Sequence, residues 1–206
     1  RRLVALAEAP PDGIETALAA LARPHAQWRA AHPMNEVGGN AAALATIWAP
    51  LKRAVPDLER RDLIFCAGVY QGRKLFAAMG QYCGTMRGDW LGIPATNKTL
   101  SLRYGEVWQV DADGRVVQAN LLWDVLDVMR QAGVWPLAPS LGVEEAWQAP
   151  ITVDGLRMAP ASEAESLASL DQTLGMHKSL AEFDDLGKLS REGLIAMPQR
   201  DHWHPK

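Results

Sequence analysis

The chain has 206 residues, 48% hydrophobic and 22% charged, with a formal net charge of −3 at pH 7 and a pI near 6.0. That balance is ordinary for a globular protein and offers a phosphate backbone no electrostatic footprint, so nucleic acid is not expected as a partner. No apolar run approaches the ~20 residues that a membrane span needs. The opening RRLVALAEAP, interrupted by Pro10-Pro11, is too short for a signal peptide. The expectation is a cytoplasmic protein with no membrane partner.

In chain order, Asp12 and Glu15 form a capping box for the apolar pattern Ile14, Ala17, Leu18, Leu21 and Ala22, which predicts a helix. Pro24 is expected to interrupt or kink it. A polar loop, HPMNEVGGN, leads to Asn40, a candidate cap for a second helix carrying Leu44, Ile47, Trp48 and Leu51 up to Pro56. Strand signals follow in LIFCAGVY, KLFAAMGQYCGTM, TLSLRYGEVWQV and RVVQANLLW, the last pair joined by the turn DADG. The loop RGDWLGIPATNK carries Trp90, Leu91 and Ile93, apolar residues expected to fold back over something. A closing helix starts at Asp124, with Asp127 in its first turn and Gly133 as its stop.

This order predicts an α+β fold, a curved antiparallel sheet packed on N-terminal helices. Residues 1–138 are read as that domain, 139–160 as a linker, and 161–206 as the helical start of a second, incomplete domain with Ser162 as cap and Leu167, Leu170 and Leu174 following. The pieces WRAAHPMN and DHWHPK both put His-Pro after a helix, which reads as a tandem duplication cut short. The turn at Gln71-Gly72-Arg73 places a residue near 78 opposite Cys66 and one near 60 opposite Cys83. The thiols are then out of register for a disulfide, in keeping with a reducing compartment.

The DADG turn sets Glu106 opposite Ala119, Trp108 opposite Val117 and Tyr104 opposite Leu121. Alternation then gathers Tyr104, Glu106, Trp108, Val117, Ala119, Leu121 and Trp123 on one face. The other face, with Arg103, Gly105, Val107, Gln109, Gln118, Asn120 and Leu122, suits solvent or a partner subunit. A lone carboxylate among aromatic and aliphatic side chains needs a partner or a neutral form, and its pKa is expected to rise. That makes Glu106 a candidate general acid or base. The alternative is a structural Glu106 that reaches solvent or pairs with an arginine.

Residues 30–135 resemble the SnoaL-like polyketide cyclase (ester cyclase) family. The likeness is carried by Gly84-Thr85, LGIPAT at 91–96, Asp113-Gly114-Arg115-Val116, Asp124, Leu126 and Arg130-Gln131-Ala132-Gly133. The resemblance implies a cone-shaped nuclear-transport-factor-like fold around an apolar pocket, and a homodimer formed through the sheet's outer face. It also implies ring closure by aldol condensation without metal or cofactor, an aspartate on the last strand serving as base. Aligned on RQAG, that base falls on Leu121, and Asp124 matches the family's second aspartate, which an N-cap also explains. The preceding-strand acid falls on Glu106 if DADG holds one extra turn residue, and on Val107 otherwise.

His32 and Asn35 match residues at the family's pocket rim, with His32 able to assist Glu106, and Tyr82 and Trp90 could line the pocket. The expected site is therefore Glu106 and His32 as acid–base groups, with Asn35, Tyr82, Trp90, Tyr104, Trp108, Ala119, Leu121 and Trp123 around a hydrophobic small molecule. His202 and His204 make a poor zinc site, and no metal is expected. Two readings stand: a cyclase-type enzyme acting on an apolar carbonyl compound, or a non-catalytic binding or dimerisation module.

Overall fold

The computed structural model describes residues 1–139 and 162–181. The chain divides into two compact units, Arg1–Val153 and Asp154–Lys206. The first begins with α1 (Arg2–Glu8), which buries Leu3, Leu6 and Ala7. Its C-terminal end receives the ammonium of buried Lys52, which donates to the Ala7 carbonyl at 2.7 Å, a cation where the helix dipole favours one. Burial lowers the Lys52 pKa. Next, α2 (Ile14–Leu21) buries Ile14, Leu18 and Leu21. The expected capping box does not form: Gly13 is the N-cap and no side chain bonds there.

The expected kink at Pro24 is instead the start of a strand, β1 (Ala22–Ala30). Proline gives no N–H to a helix and disfavours helical geometry in the residue before it. Beyond it Ala26 and Trp28 are buried while His25, Gln27 and Arg29 are exposed, the period of two that a half-buried strand requires. After a short edge strand, β2 (Glu36–Gly38), one continuous helix runs through α3 (Asn40–Ala43), a wide π turn at Leu44–Trp48, and α4 (Ala49–Ala54). Asn40 does not cap it. Gly39 holds that place, and the Asn40 amide donates to the Ala22 carbonyl at 3.3 Å. The π turn has a physical cause in Pro50, whose ring would strike the Thr46 carbonyl in a regular helix.

The remaining strands are β3 (Glu59–Tyr70), β4 (Arg73–Thr85), β5 (Thr99–Val110) and β6 (Val116–Trp123), in a six-stranded sheet ordered β2-β1-β6-β5-β4-β3. Neighbours are antiparallel except β1 and β6, which run parallel with Trp28 beside Ala119 and Ala30 beside Leu121. Cys66 lies opposite Ala77 and Cys83 opposite Glu59, six rungs apart along the hairpin, as expected. The final helix of this unit, α5 (Val125–Gln131), is capped as expected by Asp124, whose side chain accepts from the Asp127 N–H at 2.9 Å.

The pairing of β5 with β6 differs from the expected register. Leu121, not Ala119, opposes Glu106; Ala119 opposes Trp108, and Trp123 opposes Tyr104. The loop Asp111–Arg115 closes as one unit, the Asp111 carboxylate accepting from the N–H groups of Asp113 and Arg115. An irregularity between Gln109 and Val110 then shifts the ladder once more. The net displacement is even, so each side chain keeps its face, except that Val116 is buried in place of Val117. On the inner face Trp28, Trp48, Trp108 and Trp123 pack edge to face with each other and with Tyr82, at centroid distances from 5.4 to 6.3 Å. Trp90, from the loop before β5, completes this core beside Trp123.

In the second unit α6 (Glu163–Ala181) begins as expected, the Glu165 N–H bonding the Ser162 hydroxyl at 3.2 Å. Leu167 and Leu174 are exposed on it. His32-Pro33 follows a strand, so the helix-then-His-Pro order proposed for a duplication is not present in the first unit. The other His-Pro, at 204–205, lies outside the described residues.

Two tests follow from the packing. A Cβ at Gly80 would strike the Arg61 carbonyl and the Tyr104 hydroxyl, so Gly80→Ala is expected to cost about 1–3 kcal/mol by overpacking, read from urea unfolding. Asp57 ties Thr85 through its N–H and its hydroxyl, both at 2.7 Å, and these bonds hold its pKa below the ordinary carboxylate value. A depressed carboxylate pKa stabilises fully above the unfolded value and progressively less as pH falls through the folded one. The stability difference between wild type and Asp57→Ala is therefore expected at neutral pH and to close on acidification below about pH 4.

Candidate functional site

Alternation along β5 points Glu106 into the core between Tyr104 and Trp108, where its side chain is 0% exposed. Its carboxylate is surrounded by donors. Oε2 accepts from Arg60 Nη1 at 2.7 Å and Trp108 Nε1 at 3.2 Å, and Oε1 accepts from Trp123 Nε1 at 2.8 Å and the Tyr82 hydroxyl at 3.0 Å. Two carboxylate oxygens offer about four lone-pair sites, and all are taken by side chains held on β3, β4, β5 and β6.

Arg60 is the centre of a second set of contacts. It enters from β3 opposite Tyr82, its Nε donates to Asp62 at 3.0 Å, and its guanidinium stacks 4.3 Å from the Tyr104 ring centroid. Tyr104 in turn donates its hydroxyl to Asp62 at 2.7 Å. Burial alone would weaken the Arg60 hold on its proton. The oxygens of Tyr82, Glu106 and Tyr104 outweigh it and raise the guanidinium pKa. Burial, followed by the charge of Glu106, raises the Tyr82 phenol well above its ordinary value. Burial and the bond to Asp62 likewise raise Tyr104. The network is a charge-paired hub whose charged groups reach the surface at Asp62.

An open groove of about 960 Å³ lies outside this hub. Met79, Gly105 and Leu122 come to it from the sheet's outer face, Leu91 and Ile93 from the loop before β5, and Val125, Leu126 and Met129 from the end of β6 and α5. Ala31, His32 and Pro33 form part of its rim. Its polar lining is His32, Arg103 and Asp124, of which the last two pair at 2.7 Å. Asp127, 3.4 Å from Arg103, also accepts from Arg130 and Gln131. Among the described residues no three His, Cys, Asp or Glu side chains converge as metal ligands, and His202 and His204 lie outside them.

Of the expected site residues, His32, Tyr104 and Trp123 line the groove. Glu106, Tyr82, Trp90, Trp108, Ala119 and Leu121 are buried in the core and are not part of its lining. Asn35 is exposed, in a left-handed conformation, and its amide turns back to the Pro33 carbonyl at 3.1 Å. Sequence reasoning missed Arg60, Asp62 and Arg103. A signal for Arg60 existed: the Gln71-Gly72 hairpin carries residues near 60 to the level of Tyr82, on the face where Glu106 needs a cation. The strand was taken to start at Leu63, where the apolar run begins, and so the charged residues ahead of it were left out.

No protein-family model and no curated protein matches the chain, but solved structures do. A protein assigned as a SnoaL-like polyketide cyclase from Jannaschia sp. CCS1 aligns over 66% of this chain and 91% of its own, at 22% identity and a TM-score of 0.51. IdmH from Streptomyces antibioticus, assigned as a polyketide cyclase, aligns over 65% of this chain and 96% of its own, at 21% identity and a TM-score of 0.51. TsrD from Streptomyces laurentii aligns over 65% and 90%, at 22% identity and a TM-score of 0.50. The fold is thus the SnoaL-like, nuclear-transport-factor-like α+β fold expected from the sequence.

The hub predicts a strong asymmetry in mutants. Arg60→Met leaves the Glu106 charge buried without its cation and is expected to cost about 3–5 kcal/mol. Adding Glu106→Gln to it removes the stranded charge and should recover a large part of that loss. Urea unfolding of the two variants measures the difference, and a single-variant cost below about 1 kcal/mol, the range of exposed pairs, would contradict the hub.

Proposed function

We propose that this chain uses the SnoaL-like fold as a binding protein, holding an apolar small molecule in the groove beside α5 without transforming it. The observation that carries this reading is the Glu106 carboxylate, fully enclosed and bonded by four side-chain donors. A general base must come within hydrogen-bond reach of the proton it abstracts, and Glu106 has neither a free lone pair nor a route to the groove. Leu121, at the position that the resemblance gives to the family's base, contributes no acid–base group. The groove itself has the size and largely apolar lining of small-molecule sites.

We also infer that the outer sheet face pairs with a second copy. Val107, Met79 and Leu122 lie close together on that face and are 41%, 40% and 70% exposed, and exposed apolar patches mark interaction sites.

A cyclase-type enzyme is the second reading, favoured by His32, an imidazole at the rim of the same groove. In that case His32 is the acid–base group, and Glu106 acts only by fixing the indole of Trp123.

The readings separate experimentally. Wild type is expected to bind the neutral apolar dye Nile red, Leu126→Asp to bind it about tenfold or more weakly, and Glu106→Gln, where folded, to retain it. Incubated with an apolar 1,3-diketone, the protein should return it unchanged. Conversion that disappears in His32→Ala would replace the binding reading with the enzymatic one.

A further inference from the structure

We infer that the groove is half of a ligand site, and that a second copy of this chain supplies the missing wall. This rests on the binding reading above and extends it to where the ligand sits. The groove and the exposed sheet face are not separate features. Met79, Gly105 and Leu122 belong to both, since they lie side by side on β4, β5 and β6. Val107 continues the same face one step along β5, between Ala77 and Asn120, and is outside the groove.

Small-molecule sites bury most of their ligand's surface. With Leu122 70% exposed and Leu126 44% exposed, a ligand lying on this floor keeps one side in water. The missing element is therefore a surface that meets the outer face while leaving the groove roofed.

Charge selects the occupant. Along β4, β5 and β6 the outer face offers Ala77, Met79, Val107, Gln109, Asn120 and Leu122, all uncharged. Of its cations, Arg103 is neutralised by Asp124 and Asp127, Arg29 pairs with Glu36 at 3.4 Å, and Arg73 stands at the hairpin end of β4, six residues from Met79. At the β3 margin Arg61 and Glu59 neutralise each other at 2.6 Å. A two-fold interface sets a surface against itself, so a face carrying net charge would repel its copy. Beside the groove this one carries only paired charges, and it lacks there the charge that a strongly charged partner would seek. A second copy docked here brings its own Leu122 and Val107 over the first groove, and the ligand lies between the subunits.

Linkage makes the inference measurable, because two events that favour each other must do so by the same factor. Analytical ultracentrifugation of wild type should show a concentration-dependent dimer, and saturating Nile red should tighten it by the factor by which dimerisation tightens Nile red. Val107→Glu changes a residue that is not part of the groove lining. It should be monomeric, keep the wild-type circular dichroism and melting temperature, and bind Nile red about tenfold or more weakly. If that variant does not fold, diluting wild type through its dissociation range serves instead, and dye bound per chain should fall with the dimer fraction. A monomeric Val107→Glu that binds as tightly as wild type, or a wild type that binds dye while monomeric at every concentration, overturns the shared site and leaves the binding reading intact. A wild-type dimer that binds no Nile red overturns the binding reading, and the shared site with it.

Discussion

A carboxylate removed from water must find donors for both oxygens, and in this fold the requirement is met by drawing side chains from four strands onto Glu106. Arg60 from β3, Tyr82 from β4, Trp108 from β5 and Trp123 from β6 all bond it. Each donor can reach only if its strand is in register, so the ion pair acts as a specification of sheet geometry as well as a local contact. A one-residue slip of β3, β4 or β6 would turn its donor to the opposite face and take one of the bonds from the buried carboxylate, at a cost of roughly 1–3 kcal/mol. Buried pairs contribute little net stability against an apolar alternative of the same shape. What this pair contributes is discrimination among registers, in a core whose aromatic rings could otherwise pack in several ways.

The same constraint explains the small residues around it. Tyr104 lies across Gly80 to reach Asp62, and the Arg61 carbonyl occupies the space a side chain at Gly80 would need. Ala78 and Ala119 stand beside Glu106 and Trp108 on the neighbouring strands, leaving room for the Arg60 guanidinium and the Trp28 ring. Large aromatics and small residues thus alternate across the inner face, as close packing between a curved sheet and a helix demands. With the inner face filled in this way, the groove opens toward the sheet's outer side, by α5.

Much of this was legible in the sequence, and the failures have physical causes. Apart from Val116 in place of Val117, the inner face is as the alternation predicts although the β5–β6 register is not, because a turn closed by Asp111 and a ladder irregularity displace the pairing by an even number of residues. The need of Glu106 for a cation was visible, but its identity was not, since Arg60 sits ahead of the apolar run used to find β3. The strand β1 was hidden because its alternation, centred on Ala26 and Trp28, is brief and follows directly on a helix that ends at Leu21. The groove was not foreseen. Its lining joins residues from both faces of the sheet, two loops and α5, and no single period reports such a combination. The likeness to cyclases points to the inner face of the sheet, where this chain packs tryptophans.

The hub and the groove nevertheless share two side chains. Tyr104 and Trp123 line the groove while their polar atoms are bonded to Asp62 and to Glu106. With hydroxyl and indole N–H committed inward, both residues can offer a ligand only ring surface. The buried carboxylate therefore shapes the groove indirectly. It withdraws two donors from the lining, and polar recognition is left to His32 and the Arg103–Asp124 pair at the edge. The inward-facing carboxylate thus keeps the floor of the groove apolar.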